Sequence, residues 1–367
     1  MKKIKVGMVG VGVISGIYLE NITKVFKDIE IVGVCDLIKE KAEKAVKEYQ
    51  IPKIYDTMYD LFADEEIDIV LNLTRPYEHF EVTEAALLAG KHVYSEKPLG
   101  ATLEEGQKLV ALAEEKGLLI GGAPDTFLGA GIQTCRKLIE DGYIGTPVGA
   151  SAFMVCRGHE SWHTDPEFYY KFGGGPMLDM GPYYLTALTN LLGGVKKVSG
   201  MSKVSFDQRT ITSEPLNGTI IDVDVPTYVT GMMEFYNGAI GTIFTTFDVY
   251  QAQMPRIEIY GSAGTLSVPD PNTFGGPVLL YRPGSKEFKE IPLVFDYVDN
   301  SRGLGLADMA KAIQENRKPR ANSDQTLHVL EIMESFQMSS DQGKHIEIQS
   351  EFEKSEPMVY GILKGVL

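Results

Sequence analysis

Cysteine is scarce in this chain: Cys35, Cys135 and Cys156 are the only three in 367 residues, and they lack metal-ligand spacing. That excludes a disulfide scaffold or a cysteine zinc centre and fits reduced thiols in the cytosol. Positive charge is short as well. Against 50 Asp and Glu stand 35 Lys and Arg, a net charge of −15, which argues against nucleic acid as a partner because phosphate binding needs a basic surface. No uninterrupted apolar run reaches membrane-spanning length, and Met1-Lys2-Lys3 leads into a strand-like segment rather than a signal peptide. Neither a membrane partner nor export is therefore expected, and a cytoplasmic setting is. Internal repeats and low-complexity linkers are missing too.

What is present begins with a buried-strand pattern over residues 4–9. Gly10-Val11-Gly12-Val13-Ile14-Ser15-Gly16 follows, then a helix-compatible stretch over residues 17–26. Gly10 permits a tight turn. Gly12 lets backbone approach a pyrophosphate at the helix N-terminus, with Val13 and Ile14 completing the binding loop. Ser15 stands where the third glycine of the usual spacing falls, and Gly16 comes one place later. A second apolar run, residues 29–35, ends in Asp36. This is about the 20-residue offset of an acidic group that accepts hydrogen bonds from the adenosine ribose. Such a carboxylate repels a 2′-phosphate, and Leu37 and Ile38 bring no arginine, so NAD is favoured over NADP.

Up to about residue 122, short apolar runs (68–73, 92–94, 118–121) alternate with amphipathic stretches (77–89, 103–116). The alternation predicts a doubly wound parallel sheet. After Pro124 the pattern changes. Helices are expected at 132–141 and 182–192, with a loop-rich stretch before Gly175. β-rich runs follow the same region at 148–155, 227–235, 239–250, 256–260 and 264–268, with Asn237-Gly238 marking a hairpin. Residues 306–315 and 325–339 read as closing helices. The fold class expected is α/β. A Rossmann-type domain spans 1–122, and an α+β domain with an open, mostly antiparallel sheet spans 123–367, each long enough to bury a core.

Four motifs then occur in order: the glycine turn, Thr74-Arg75-Pro76 with His79, Glu96-Lys97-Pro98, and Gly173-Gly174-Gly175-Pro176-Met177-Leu178-Asp179-Met180-Gly181. Over nearly its whole length the chain resembles the glucose-fructose oxidoreductase, inositol dehydrogenase and rhizopine-catabolism (Gfo/Idh/MocA) family of NAD(P)-dependent oxidoreductases. The resemblance implies hydride exchange between a nicotinamide and a secondary hydroxyl or ketone of a sugar, glycoside or cyclic polyol. It also implies Thr74, Pro76 and His79 at the cofactor, Glu96 beside the nicotinamide ribose, and a Lys97-Pro98 bond that is often cis. Lys97 is the implied proton-transfer residue. The family commonly pairs subunits through the open sheet face, which implies a homodimer or homotetramer.

The departures matter as much. The family's Asp-x-Gly-x-His is here Asp179-Met180-Gly181-Pro182-Tyr183; on a helix, Asp179 and Tyr183 share a face at i and i+4. Tyr183 either joins the proton relay with a pKa lowered by the cationic lysine, or orients lysine and substrate, or packs. Asp125, in place of the family's amide, suits a hydroxyl-rich ligand. The absent arginine nearby disfavours an anionic substrate, although Arg157 and Lys171 leave room for one carboxylate. His159-Glu160-Ser161-Trp162-His163 has zinc-protease spacing, but Gly158 before it and Thr164-Asp165-Pro166 after it leave no helix to carry the ligands, so no metal is expected. Trp162, with Tyr169 and Tyr170, instead offers aromatic faces to a sugar. His163 is the candidate to supply the imidazole missing at Tyr183, or else a loop histidine capping backbone groups. Arg302 reaches the cleft or braces the domains. Two alternatives stay open: a regulator that senses NAD(P) without turnover, against which the retained Lys97 and Asp179 speak, and a sugar–sugar oxidoreductase with tightly bound, recycled cofactor.

Overall fold

The computed structural model describes residues 3–361 and 364–365. Six strands, β1 (Ile4–Val9), β2 (Ile29–Cys35), β3 (Lys53–Ile54), β4 (Ile69–Asn72), β5 (His92–Ser95) and β6 (Ile120–Gly122), form one sheet. Its order is β3-β2-β1-β4-β5-β6, with every pair parallel. This is the doubly wound dinucleotide-binding topology, whose switch point lies beyond the carboxyl end of β1. The connecting helices are α1 (Ser15–Lys24), α2 (Lys39–Tyr49), α3 (Met58–Ala63), α4 (His79–Leu88) and α5 (Leu103–Lys116). Local sequence sets their ends. Thr102 and Glu105 close a capping box at the start of α5, and Gly117 ends it in a left-handed conformation.

The chain continues through α6 (Ala130–Glu140), β7 (Pro147–Val155) and α7 (Gly175–Leu192), then β8 (Val195–Lys203) and a small hairpin of β9 (Gln208–Thr210) and β10 (Ile220–Asp222). Next come β11 (Tyr228–Phe235), β12 (Ile240–Thr246), β13 (Ile257–Gly261), β14 (Gly264–Val268), β15 (Val278–Tyr281) and β16 (Lys289–Ile291). The last elements are α8 (Leu304–Glu315), α9 (Ser323–Gln342) and β17 (Ile346–Glu347). A nine-stranded sheet has the order β16-β15-β14-β13-β7-β12-β11-β8-β17, antiparallel except where β7 meets β12. Helices α6, α7 and α9 cover one face of it. Close approach is required there. A Cβ at Gly231 would lie 2.3 Å from the ring of the fully buried Phe336 on α9.

One boundary differs from expectation. Helix α7 begins at Gly175, with Pro176 in its first turn and Pro182 inside it, whereas the sequence pattern starts it at Pro182. Proline favours the first turn, but Pro182 is accommodated here as a buried interior residue. Its missing N–H leaves the carbonyl of Leu178 without the usual helical donor. The earlier start puts Asp179 and Tyr183 one turn apart on the same helix. Strand β8 and the β9–β10 hairpin are polar and were not foreseen. No helix among the described residues is long and apolar enough to cross a membrane.

Candidate active site

At the end of β1, Gly10 has φ +94°, and a Cβ there would lie 2.7 Å from the carbonyl oxygen of Leu73. Only glycine suits both constraints. Gly12 is the opposite case: nothing lies within 4 Å of where its Cβ would be. Helix α1 then starts at Ser15, whose hydroxyl donates to the Gly12 carbonyl at 2.7 Å. No side chain caps this helix and no acidic residue lies in its first turn, so its N-terminal dipole faces open space. Asp36, just past β2, accepts hydrogen bonds from the N–H groups of Val11 (2.6 Å) and Ile38 (2.7 Å). Three apolar side chains flank it exposed: Val13 at 88%, Leu37 at 96% and Ile38 at 48%. An open glycine, an uncapped ten-residue helix, a fixed carboxylate and bare apolar surface fit a dinucleotide: pyrophosphate at α1, ribose at Asp36, adenine over the apolar side chains.

The loop after β4 serves this cleft indirectly. Thr74 donates its hydroxyl to Asn72 Oδ1 at 2.6 Å, and Pro76 opens a short 3₁₀ turn. His79 is 1% exposed, with Nδ1 2.7 Å from the Pro98 carbonyl and Nε2 3.0 Å from the Thr74 carbonyl. Burial favours the neutral ring, which donates its one N–H to one of these carbonyls and abuts the other. His79 thus ties the β4 loop to the cis Lys97-Pro98 turn and does not face the cleft where the sequence reading set it.

Lys97 and Asp179, 82 residues apart, are brought together. Nζ of Lys97 donates to the Asp179 carbonyl at 2.6 Å and to Oδ1 at 2.7 Å. Burial works against the lysine's charge, but the adjoining carboxylate outweighs it and holds the ammonium above its ordinary range. Burial likewise opposes the Asp179 charge, and Lys97 together with His159 reverses the balance, holding the carboxyl well below the usual carboxylate range. The lysine amine lies 5.4 Å from the centre of the Tyr183 ring. Burial raises the Tyr183 phenol and Lys97 only partly opposes it. The lowered phenol pKa considered from sequence is therefore corrected: desolvation wins. Glu96, buried beneath, accepts from the Tyr18 hydroxyl at 2.8 Å and from the Lys97 N–H at 3.1 Å. Arg302 lies beside Tyr183 and bonds Asn300 and Asn272. The Arg302 and Asn300 carbonyls accept from Asn21 on α1, so Arg302 links α1 to the segment after β14 as well as lying beside Tyr183.

Asp125 does not line an open pocket. It is 1% exposed and accepts from the N–H groups of Gly303 (2.8 Å) and Gly305 (3.0 Å), capping α8 from across the chain. Burial pushes its carboxyl up to about 6, with those two amides opposing.

The 156–174 segment forms turns and a short 3₁₀ stretch, Glu167–Tyr170. Its Glu160 carboxylate accepts from Arg209 Nη1 at 3.0 Å and from the Tyr170 hydroxyl. Arg209 also contacts Asp248 and donates to the Phe247 carbonyl at 2.9 Å. With Glu160 so held, His159 rather than His163 is turned to Asp179: its Nε2 lies 3.3 Å from Oδ2. His163 accepts from the Asp165 N–H at 3.0 Å, the backbone-capping alternative. Trp162 is 60% exposed, its ring edge-on to both histidines. Sequence reasoning missed His159 and Arg209. Both histidines were visible in one segment, but spacing alone does not say which one the loop turns inward.

Two family models match this chain. The first, described as an oxidoreductase family with NAD-binding Rossmann fold, covers residues 4–122; the second, the GFO/IDH/MocA C-terminal domain, covers residues 132–267. Inositol 2-dehydrogenase of Salmonella paratyphi B is 30% identical over 168 residues, 45% of this chain and 48% of that protein. The chain thus matches about half the length of that relative. An NAD-binding oxidoreductase from Klebsiella pneumoniae superposes with a TM-score of 0.82 at 19% identity, covering 95% of this chain and all of the other. Levoglucosan dehydrogenase, solved with NADH, gives 0.81 at 19% identity and the same coverage. At these identities the structures show a shared fold.

Proposed function

The chain belongs to the Gfo/Idh/MocA oxidoreductase family, and on that footing we propose that it is an NAD-dependent dehydrogenase of a secondary hydroxyl on a neutral sugar, glycoside or cyclic polyol. The observation that carries the proposal is the Lys97–Asp179 pair, its amine and carboxylate largely buried at the end of the cofactor sheet (side chains 16% and 13% exposed). Bound NAD supplies the hydride acceptor at its nicotinamide. The chain's own residues handle the proton. In oxidation the substrate hydroxyl gives its proton to neutral Lys97 Nζ; in reduction the ammonium returns it to the carbonyl oxygen. Since Asp179 holds Lys97 charged, the resting enzyme is poised as the acid, and oxidation gains from rising pH. The protonated Tyr183 phenol orients lysine and substrate, and Trp162 offers a face to the ring of a sugar. Asp36 supports NAD over NADP, since its charge repels a 2′-phosphate.

Within this reading, residues 1–122 bind cofactor, and residues 123–367 supply the substrate walls and subunit contacts. Strand register places Met201, Met232, Ile240, Tyr260 and Tyr281 on the uncovered sheet face, each exposed. That apolar face supports a homodimer or homotetramer.

The test is absorbance at 340 nm with NAD and a panel of sugars, glycosides and inositols, comparing wild type with Lys97→Ala. Reduction by wild type alone is expected. No turnover on any panel member, with calorimetry showing NAD bound, overturns the dehydrogenase reading in favour of a recycled cofactor or a regulator.

A further inference from the structure

Asp179 has two nitrogen neighbours, one on each carboxylate oxygen. Lys97 Nζ sits on Oδ1 at 2.7 Å, and His159 Nε2 approaches Oδ2 at 3.3 Å. His159 is 9% exposed, and apart from this approach to Asp179 its ring nitrogens have no hydrogen-bond partner among the described residues. The ring is boxed on its other sides by Tyr169 at 3.9 Å between centroids, Phe247 at 4.7 Å and Trp162 at 5.2 Å. A buried imidazole walled by aromatics is poorly explained as core filling when one ring nitrogen meets a buried carboxylate and the other loses solvent without gaining a partner. The adjacent Glu160–Arg209 pair fixes the backbone that turns it there.

We propose that His159 is a positioning residue that sets, through Asp179, how tightly Lys97 holds its proton. The proposal rests on the proton role given to Lys97 above. When the imidazole is protonated, one carboxylate is shared between two cations, and the lysine ammonium releases its proton more readily to the oxygen of a carbonyl undergoing reduction. When the imidazole is neutral, the whole carboxylate charge falls on Lys97 and the ammonium is held. Imidazole changes charge in the range where such a control is useful. The other groups facing His159 are few. From the 3₁₀ turn come the Tyr169 and Tyr170 phenols; from its own loop come His163 and Glu160, the latter neutralised by Arg209; Cys156, just past β7, neighbours Asp179 and Glu160. Of these, Asp179 alone among the carboxylates meets the ring without a guanidinium partner.

The test needs no substrate. The full chain, labelled with ¹³C-histidine, is titrated from pH 5 to 9 by NMR, and the His159 signal among the six histidines is identified by its loss in His159→Asn. Asp179→Asn is expected to lower the His159 midpoint by at least one pH unit, and Lys97→Met to raise it. A midpoint unmoved by both substitutions overturns the proposal. If His159→Asn fails to fold by circular dichroism, His159→Gln takes its place. A second readout uses NADH and the ketone of whichever panel compound turns over. Wild-type kcat/KM for reduction is expected to rise at least threefold from pH 8 to pH 6, with a flat profile in His159→Asn. Equal slopes in the two proteins also overturn it. Failure of the panel alone counts against the dehydrogenase reading, while the NMR result decides the coupling.

Discussion

Replacing Arg209 with methionine removes the cation that pairs with both carboxylates of a buried cluster. Its side chain is 3% exposed, and its guanidinium faces Glu160 (10%) and Asp248 (5%). Methionine fills much of the same volume but leaves two buried carboxylates without a cation, each keeping a hydroxyl donor, Tyr170 for Glu160 and Thr227 for Asp248. Breaking a buried pair by removing one partner costs roughly 3–5 kcal/mol, chiefly for the stranded charge. At roughly 2 °C per kcal/mol for a domain of about 250 residues, the melting temperature should fall by about 6–10 °C in calorimetry at pH 7. The cost is expected to lie in uncompensated charge rather than lost attraction. The triple variant Arg209→Met, Glu160→Gln, Asp248→Asn should therefore recover more than half of the lost stability. A single-variant cost below about 1 kcal/mol, the range of exposed pairs, refutes the reasoning. So does a triple variant no more stable than the single.

Other consequences are as direct. Asp36→Ala should raise the KM for NAD by about 10–100-fold, the loss of charge-assisted hydrogen bonds worth about 1.5–3 kcal/mol, while narrowing the preference over NADP; steady-state kinetics with both cofactors measures this. Asp125, with its folded carboxyl pushed up to about 6, binds its proton more tightly folded than unfolded. Stability from this group is thus fully present at acid pH and is lost as pH rises through about 6. From pH 5 to 7 that loss is about 1 kcal/mol. Urea unfolding should show it in wild type and not in Asp125→Asn, whose amide oxygen can still accept from Gly303 and Gly305.

The cofactor sheet was legible because its strands are buried on both faces and its glycine turn has a physical reason at each position. Lys97 and Asp179 were legible by motif, and the helical i, i+4 relation of Asp179 and Tyr183 held once α7 was found to begin before Pro182. What stayed hidden depends on long-range partners. Asp125 reads like a pocket residue until Gly303 and Gly305 arrive from 178 and 180 residues away. His79 reads like a cofactor contact until Pro98 and Thr74 occupy both ring nitrogens. His159 and His163 are indistinguishable by spacing, and their difference is made by Arg209, on a polar three-residue strand that carries no periodic signal.

The suspension of the 156–174 segment from Arg209 has an evolutionary reading. Lysine and dinucleotide cradle sit on one sheet, and the carboxylate sits on a helix beneath the other. The aromatic wall belongs to neither and is tied down from outside, by Arg209 on Glu160, Arg75 on Asp165, and the Thr212 and Ser213 N–H groups on the Glu160 carbonyl. Under the proposed function, exchanges within that wall that keep these ties leave Lys97 and Asp179 in place, so descendants of this chain can change what they recognise faster than what they do to it.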